Sequence, residues 1–465
     1  MSLGSLVLAF TSAAHAGSIT APAVIGGVEG SPATGGAMGV HWNPAAISGT
    51  KLVDVLVDGQ VSWVRIDIDN ERDGGIDPNT GEPYKLSTAR VTAPVPLLAA
   101  SFKILPDRLA AGIGVTMPFL GGGDYTSTET DDKPPYEGPQ RYAAIETRVI
   151  SLAVTPAVSL TTIKGLHLGA GVAVHFDSMS VLRASDPLGT EGVPVSELDT
   201  VPTEPYSTDV LLSGKMKGMH ATWLAGAYFD RLEVLSLGVG VRGPGKFSVK
   251  GDGSVLAPES FGGVDVPAKV GVDFTLPAIV YSGATVKVPG GMVEVGAAWE
   301  WQLWNACCGS EDSDVVISLD SEDGDPIGAE DGLGLEIGDT LYSPRRLWNS
   351  SNVAVFTGIS PPGPMWFGLR LGYNQYAVPS YAVNAGNLDF SNMGALISTR
   401  VKLGKAELGL GYYKFLLMDR NVTDSAWNLQ DGNERFSPEL PYNAGSNGLY
   451  TGAVDGLSVR FGLSL

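Results

Sequence analysis

Short and long connections alternate strictly along this chain, and the segments between them read as strands. Tight turns are legible at Leu105-Pro106-Asp107, Ile163-Lys164-Gly165, Asp230-Arg231-Leu232, Pro289-Gly290-Gly291, Pro361-Pro362-Gly363 and Gly404-Lys405. Long polar or acidic stretches separate them, centred near Asp73, Asp131, Glu197, Ser254, Asp323, Asn384 and Asp431. The remaining segments alternate with period two. In the clearest one, Leu166, Leu168, Ala170, Val172, Val174 and Phe176 share one face, while His167, Gly169, Gly171, Ala173 and His175 share the other. Leu235–Arg242, Phe367–Asn374 and Leu457–Leu465 repeat the scheme. A soluble sandwich also alternates, so the connections decide. Short turns on one side and long loops on the other are the pattern of an antiparallel transmembrane β-barrel. Six short turns and seven long loops join about 14 strands and put both chain ends on the periplasmic side.

Other features agree with an all-β barrel. Several segments exceed the ~10 residues that span a bilayer, so the barrel is expected to project above it. Aromatic residues cluster at Trp299, Trp301 and Trp304, at Tyr373 and Tyr376, and at Tyr412 and Tyr413, as an interfacial girdle requires. No later run of 18 apolar residues is present, which excludes a helical membrane protein. At the N-terminus an apolar run, Leu3 to Phe10, precedes Ala14-His15-Ala16, a small-x-small cleavage pattern. Residues 1–16 are therefore expected to be an export signal peptide. Lys and Arg total 30 against 50 Asp and Glu, a net charge of −20, so a nucleic-acid surface is not expected. The acids concentrate in short solvated stretches.

Residues 17–48 are rich in Gly, Ala and Pro, nearly uncharged and without strand or helix period. An exported apolar stretch of this kind needs burial. Many inward strand positions are Gly, Ala or Ser, which leaves room in the lumen. Residues 17–48 are therefore expected to fold inside the barrel as a hatch, with residues 49–465 forming the barrel wall.

Four sets of residues then carry a resemblance. The first is Gly35-Gly36-Ala37 with Trp42-Asn43-Pro44-Ala45-Ala46-Ile47. The second is Val154-Thr155-Pro156-Ala157-Val158 followed by Leu168-Gly169-Ala170-Gly171. The third is Ala298-Trp299-Glu300-Trp301 with Trp304, and the fourth is Leu369-Arg370-Leu371-Gly372-Tyr373, Val378-Pro379 and Gly409-Leu410-Gly411-Tyr412. In this order the set resembles the FadL-type long-chain fatty-acid transporter family, which includes aromatic-hydrocarbon channels. The resemblance implies outer-membrane location and uptake of hydrophobic small molecules by diffusion. Ligand would pass from an outer groove to a pocket above the hatch and leave sideways at a kinked third strand. It also implies no cofactor, contact with outer-membrane lipids and a monomer. Long-chain fatty acid is the default ligand.

Two motifs are assigned roles on this basis. Asn43, Pro44 and Ala45 are the expected hatch anchor, because an Asn side chain can satisfy irregular backbone and Pro fixes φ. Pro118, with Gly121, Gly122 and Gly123, is the expected lateral opening. Proline removes a ladder hydrogen bond and glycines permit a bend, and an open ladder in hydrocarbon calls for a function. The plain alternatives are a turn into the first strand and a simple strand end.

Other motifs carry less. Asp69, Glu71 and Asp73 have calcium-loop spacing, but Thr80 stands where the bidentate Glu belongs, so a solvated acidic loop is the better reading. Gly238-Val239-Gly240-Val241-Arg242-Gly243 has dinucleotide spacing but is followed by Pro244-Gly245, not by a helix. His167 and His175 are eight residues apart on one strand face, too far for one metal. No nucleophile elbow occurs, and no enzymatic activity is expected. Cys307 and Cys308 are adjacent, where a mutual bond is unusual. The acidic loop 309–341 has no assigned role. The competing readings are a surface adhesin or structural barrel whose acidic loops bind partners, and a soluble exported β-protein such as a propeller, whose blade repeat of ~40–45 residues is not seen.

Overall fold

The computed structural model describes residues 25–70, 86–125, 139–185, 209–232, 234–258, 263–308, 315–321, 327, 340–343, 347–425 and 446–465. The expected signal peptide, Glu71 and Asp73 lie outside them. No helix among the described residues is long and apolar enough to cross a membrane.

The sheet closes on itself. Strands β1 (Val53–Asp69), β2 (Ser87–Leu105), β3 (Leu109–Asp124), β4 (Glu146–Ile163), β5 (Leu166–Ser185) and β6 (Val210–Leu232) run in sequence order. The next four are interrupted: β7 (Leu235–Arg242, then Gly245–Leu256), β8 (Asp265–Leu276, then Ile279–Lys287), β9 (Val293–Gln302, then Val315–Ser321) and β10 (Thr340–Ser343, then Ser350–Ile359). Then follow β11 (Met365–Asn374), β12 (Asn392–Leu403), β13 (Ala406–Leu417, extended by Arg420–Val422) and β14 (Gly448–Ser464). Each pairs antiparallel with its neighbours, and β14 returns to β1 from Asp54–Ser464 to Asp69–Leu449. The result is a closed fourteen-stranded antiparallel barrel. Closure is what the environment demands, since hydrocarbon offers no partner to an unpaired N–H or C=O.

Side-chain direction follows the alternation read from sequence. Leu168, Val172 and Phe176 on β5 point outward, as do Leu237 and Val239 on β7 and Leu457, Val459 and Phe461 on β14. His167, Ala173 and His175 point inward and are buried. Trp63, Trp299, Trp301, Tyr373 and Tyr412 are exposed on the outer face, in keeping with an interfacial girdle.

Four expectations need correction. Ser254 is not the centre of a loop: it lies in the upper half of β7, opposite Ser213 and Pro267. The acidic stretch 309–341 is not all loop either, because Val315–Ser321 pairs with the upper half of β8 and with Thr340–Ser343. Both segments sit above the lipid belt, where water bathes the outer face and strands can be rich in Gly, Ser and Asp. Trp304 and Tyr413 leave the girdle. Trp304 is buried in the short helix α1 (Trp304–Cys308) and donates to Gln302 Oε1 at 2.7 Å. Tyr413 faces inward because it neighbours the outward Tyr412 on one strand. Cys307 is disulfide-bonded, against the expectation for an adjacent pair.

Val459 is 60% exposed in the middle of the belt. Val459→Arg is expected to destabilise the barrel by about 2–4 kcal/mol in denaturant titrations in lipid vesicles. A neutral effect there would mean that this face does not meet lipid.

Candidate functional site

The described N-terminal residues, from 25 to 50, lie within the ring of strands. They are not structureless: 3₁₀ turns at Gly27–Glu29 and Pro44–Gly49 flank a helical turn, α2 (Gly39–Trp42). Ile25, Val28, Val40, Trp42, Ala45, Ala46 and Ile47 are buried. The strands accept this segment through glycine. A Cβ at Gly169 of β5 would strike the Pro44–Ala45 backbone, at Gly226 of β6 Asn43 Oδ1, at Gly238 of β7 the Pro32 carbonyl, and at Gly240 the Trp42 carbonyl. At Gly169, Gly238 and Gly240 backbone meets backbone, and at Gly226 it meets the Asn43 side chain, close approaches only glycine permits.

Asn43, Pro44 and Ala45 stand at its centre. Asn43 is fully buried; its Nδ2 donates to the Pro32 carbonyl at 2.9 Å and to the Ala227 carbonyl of β6 at 3.0 Å. Its Oδ1 accepts from Ala45 N at 3.1 Å, capping the turn that Pro44 begins. Ser159 of β4 donates to the Ala45 carbonyl at 2.8 Å. A second group of contacts is charged. Arg370 of β11 donates to the Gly30 carbonyl at 2.7 Å, and Arg400 of β12 pairs with Glu29 at 2.6 Å. Arg460 of β14 binds Glu407 at 3.1 Å and the Gly26 carbonyl at 3.2 Å. Burial opposes ionisation of Glu29, but Arg400 and Arg460 outweigh it and hold the carboxyl below its ordinary value. Below these contacts lies a cavity of about 650 Å³, lined with charge from Lys51, Asp54, Arg400, Lys402, Glu407 and Arg460.

The hydrogen-bonded ladder is incomplete at one place. β3 pairs with β2 only from Leu105–Leu109 up to Leu97–Thr116. Beyond Thr116 it pairs with β4 alone, after a register shift between Thr116 and Phe119 that contains Pro118. β2 continues to pair with β1 as far as Ser87. Residues 87–96 and 117–124 thus share no ladder pairing among the described residues, a gap in the hydrogen-bonded wall. Gly121, Gly122 and Gly123 line its β3 side. Gly122 has φ +148 and would place a Cβ against the Thr147 carbonyl of β4, so no other residue fits. In register, the gap starts level with His175 on β5 and rises past Trp63, which faces Thr92. It therefore opens at the outer margin of the lipid belt.

Two residues missed in the sequence complete this edge. Lys103 N donates to the Leu52 carbonyl at 3.0 Å, so odd-numbered residues of β2 address β1 and even-numbered ones address β3. Pro94 and Pro96 therefore lack their N–H on the side where β3 has left. The signal was the Pro-x-Pro spacing, which keeps both prolines on one ladder side.

The inner wall above the N-terminal segment is polar in places. Arg242 of β7 is 1% exposed, meets His41 at 3.5 Å, and has no acidic partner for its Nε and Nη1 among the described residues. Burial and Arg242 keep the pKa of His41 well below its usual value. Glu300 is held by Gln302 at 2.6 Å and Asn352 at 2.9 Å. Asp69, the calcium candidate within the described residues, ends β1 opposite Leu449 and joins no metal-binding group of described residues.

A closed, lipid-belted barrel of fourteen strands defines the class: an outer-membrane transport protein. A family model described as "Outer membrane protein transport protein (OMPP1/FadL/TodX)" matches residues 8–306, and the chain belongs to that family of hydrophobic-compound channels. None of the curated proteins compared matches the chain. Among solved structures it is similar to a Pseudomonas aeruginosa FadL homologue, with 14% identity, TM-score 0.70, and 99% of this chain and 100% of that one covered. A Pseudomonas putida toluene transporter, TodX, shares 13% identity at TM-score 0.63, covering 97% and 100%. The CymD monoaromatic hydrocarbon channel shares 13% at TM-score 0.63, covering 100% and 99%.

Two outcomes follow. Gly240→Val is expected to displace residues 25–50 from their seat, raising ion conductance in planar bilayers while leaving heat-modifiable migration intact; unchanged conductance would contradict the seat. Because the pKa of Glu29 is depressed, its stabilising contribution is present above the ordinary value of 4.5 and fades as pH falls through the lower folded value. Acidification should therefore increase protease access to residues 25–50, and Glu29→Gln should flatten that dependence.

Proposed function

We propose that the protein takes up hydrophobic small molecules bearing an acid group, most simply long-chain fatty acids. In this reading the N-terminal segment, residues 17–48, is a hatch anchored by Asn43, Pro44 and Ala45, and the gap beside Pro118 is a lateral exit into the membrane. The wall gap is the observation that carries the route. An apolar chain gains ~25 cal/mol for each Å² it removes from water. The axial path would lead it past the charged cavity under residues 25–50, whereas the gap leads directly to lipid. Ligand release then costs no transfer into the periplasm. In this reading the barrel works as a monomer.

Arg242 favours an acid over a neutral hydrocarbon. A buried guanidinium with Nε and Nη1 unpartnered among the described residues suits a carboxylate and offers toluene only the weaker attraction of a cation for a ring face. The toluene and monoaromatic channels among similar structures make the neutral ligand the second reading. Arg242→Gln should weaken binding of a long-chain fatty acid about 10–100-fold, the loss of a charged hydrogen bond worth roughly 1.5–3 kcal/mol. Binding of its methyl ester should hardly change. Equal effects on both would favour the neutral reading.

The exit is tested by restoring strand chemistry at the edges. Replacing Pro94, Pro96 and Pro118 with valine returns three backbone donors. Uptake in cells lacking their own channel should fall steeply, with barrel assembly unchanged. Undiminished uptake would remove the gap from the route.

A further inference from the structure

His175 on β5 and His220 on β6 are directly opposed in register, and both side chains enter the lumen. Their rings stack at 4.2 Å, with planes 11° apart. Asp177, two residues along β5 on the same face, has its carboxylate fully buried and accepts from His220 Nδ1 at 2.6 Å. One ligand atom from each of the three residues lies within 4.8 Å of the others. Two atoms of the group face no partner among the described residues: Asp177 Oδ1 and His220 Nε2. Buried polar atoms normally have a partner, and here two orphans belong to metal-ligand side chains only a strand apart.

We propose that His175, Asp177 and His220 form a binding site for a divalent transition-metal ion of the zinc or cobalt kind. Two imidazoles and a carboxylate suit such ions. Bonds of about 2.0–2.1 Å require the stacked rings to tilt apart, a rotation about side-chain torsions that leaves the ladder untouched. Supporting contacts are in place. Ser151 on β4 and Thr222 on β6 meet the two ring nitrogens of His175 at 3.0 and 3.1 Å, so exchanging one hydroxyl for metal leaves the other to orient the ring. Phe119 and Phe247 flank the two rings at 6.1 and 6.3 Å and limit water. The field of the Arg242 guanidinium also reaches His175.

Its position gives the site a consequence. His175 is level with Thr116, the last β3 residue paired to β2, and its partner Ser151 faces Phe119 across the register shift. Metal bound there would tie β5 and β6 together just behind the gap and hold Ser151 and Phe119 at its inner sill. That consequence rests on the lateral-exit reading; the site itself does not.

The test uses the full-length protein in detergent. Titration with Co²⁺ at neutral pH should give one equivalent of binding with visible d–d absorption, displaced by Zn²⁺. His220→Gln and Asp177→Asn should each weaken binding by at least about tenfold while retaining heat-modifiable migration. His220→Cys should instead add a near-ultraviolet thiolate charge-transfer band, a readout that a merely structural role would not produce. Absence of stoichiometric binding in the wild-type protein, or binding that survives in the His220→Gln/Asp177→Asn double variant, would overturn the proposal. Because this measurement involves no transport, its failure is distinct from failure of the lateral exit, which uptake assays judge.

Discussion

Hydrocarbon supplies no hydrogen-bond partner, and the whole architecture answers to that fact. Every strand at membrane depth must give its backbone donors and acceptors to a neighbour, so the sheet must close. Closure from β14 back to β1 is complete along sixteen registered pairs. Against this background a break in the ladder is costly unless the chain removes the groups that would be orphaned. β2 does so with Pro94 and Pro96, while Pro118 lies inside the register shift of β3 against β4. The β2 edge is thus prepared chemically, which separates a built opening from a frayed strand end.

The lumen obeys a different constraint, that of space. A barrel of this size encloses more room than its inward side chains fill, and residues 25–50 occupy it at the level of the glycine seat. Glycines at 169, 238 and 240 let the segment lie backbone against backbone, and Gly226 makes room for the Asn43 side chain. Asn43 then links that segment to the Ala227 carbonyl, while Arg370, Arg400 and Arg460 bind its opposite side at Gly30 and Glu29. The cavity under the segment is lined with charge from Arg400, Glu407 and Arg460, so a hydrophobic ligand on the axial path would have to cross it.

Much of this was legible in the sequence, and what was missed has physical reasons. Lipid on one side forces alternation, so β5, the lower half of β7 and β14 could be read directly from residues such as Leu168, Val239 and Val459. Above the belt both faces can be wet, and the upper half of β7, with Gly251, Gly253 and Ser254, looked like loop. Strand neighbours point to opposite sides, which is why Tyr412 joined the girdle and Tyr413 did not. Pro118 stood out as a proline within an apolar strand, whereas Pro94 and Pro96 acquire meaning only from the ladder side they share. His175 was visible, but His220 lies a whole hairpin away and only the β5–β6 register makes them one group.

The central claim, that the break between β2 and β3 joins lumen to lipid, is tested most directly by trapping a ligand in transit. A long-chain acid carrying a diazirine on its tail, photolysed with the protein in lipid nanodiscs, should label residues 87–96 and 117–124. Adducts confined to residues 25–50 and the charged cavity beneath them, with none on either strand edge, would show an axial path and contradict the account.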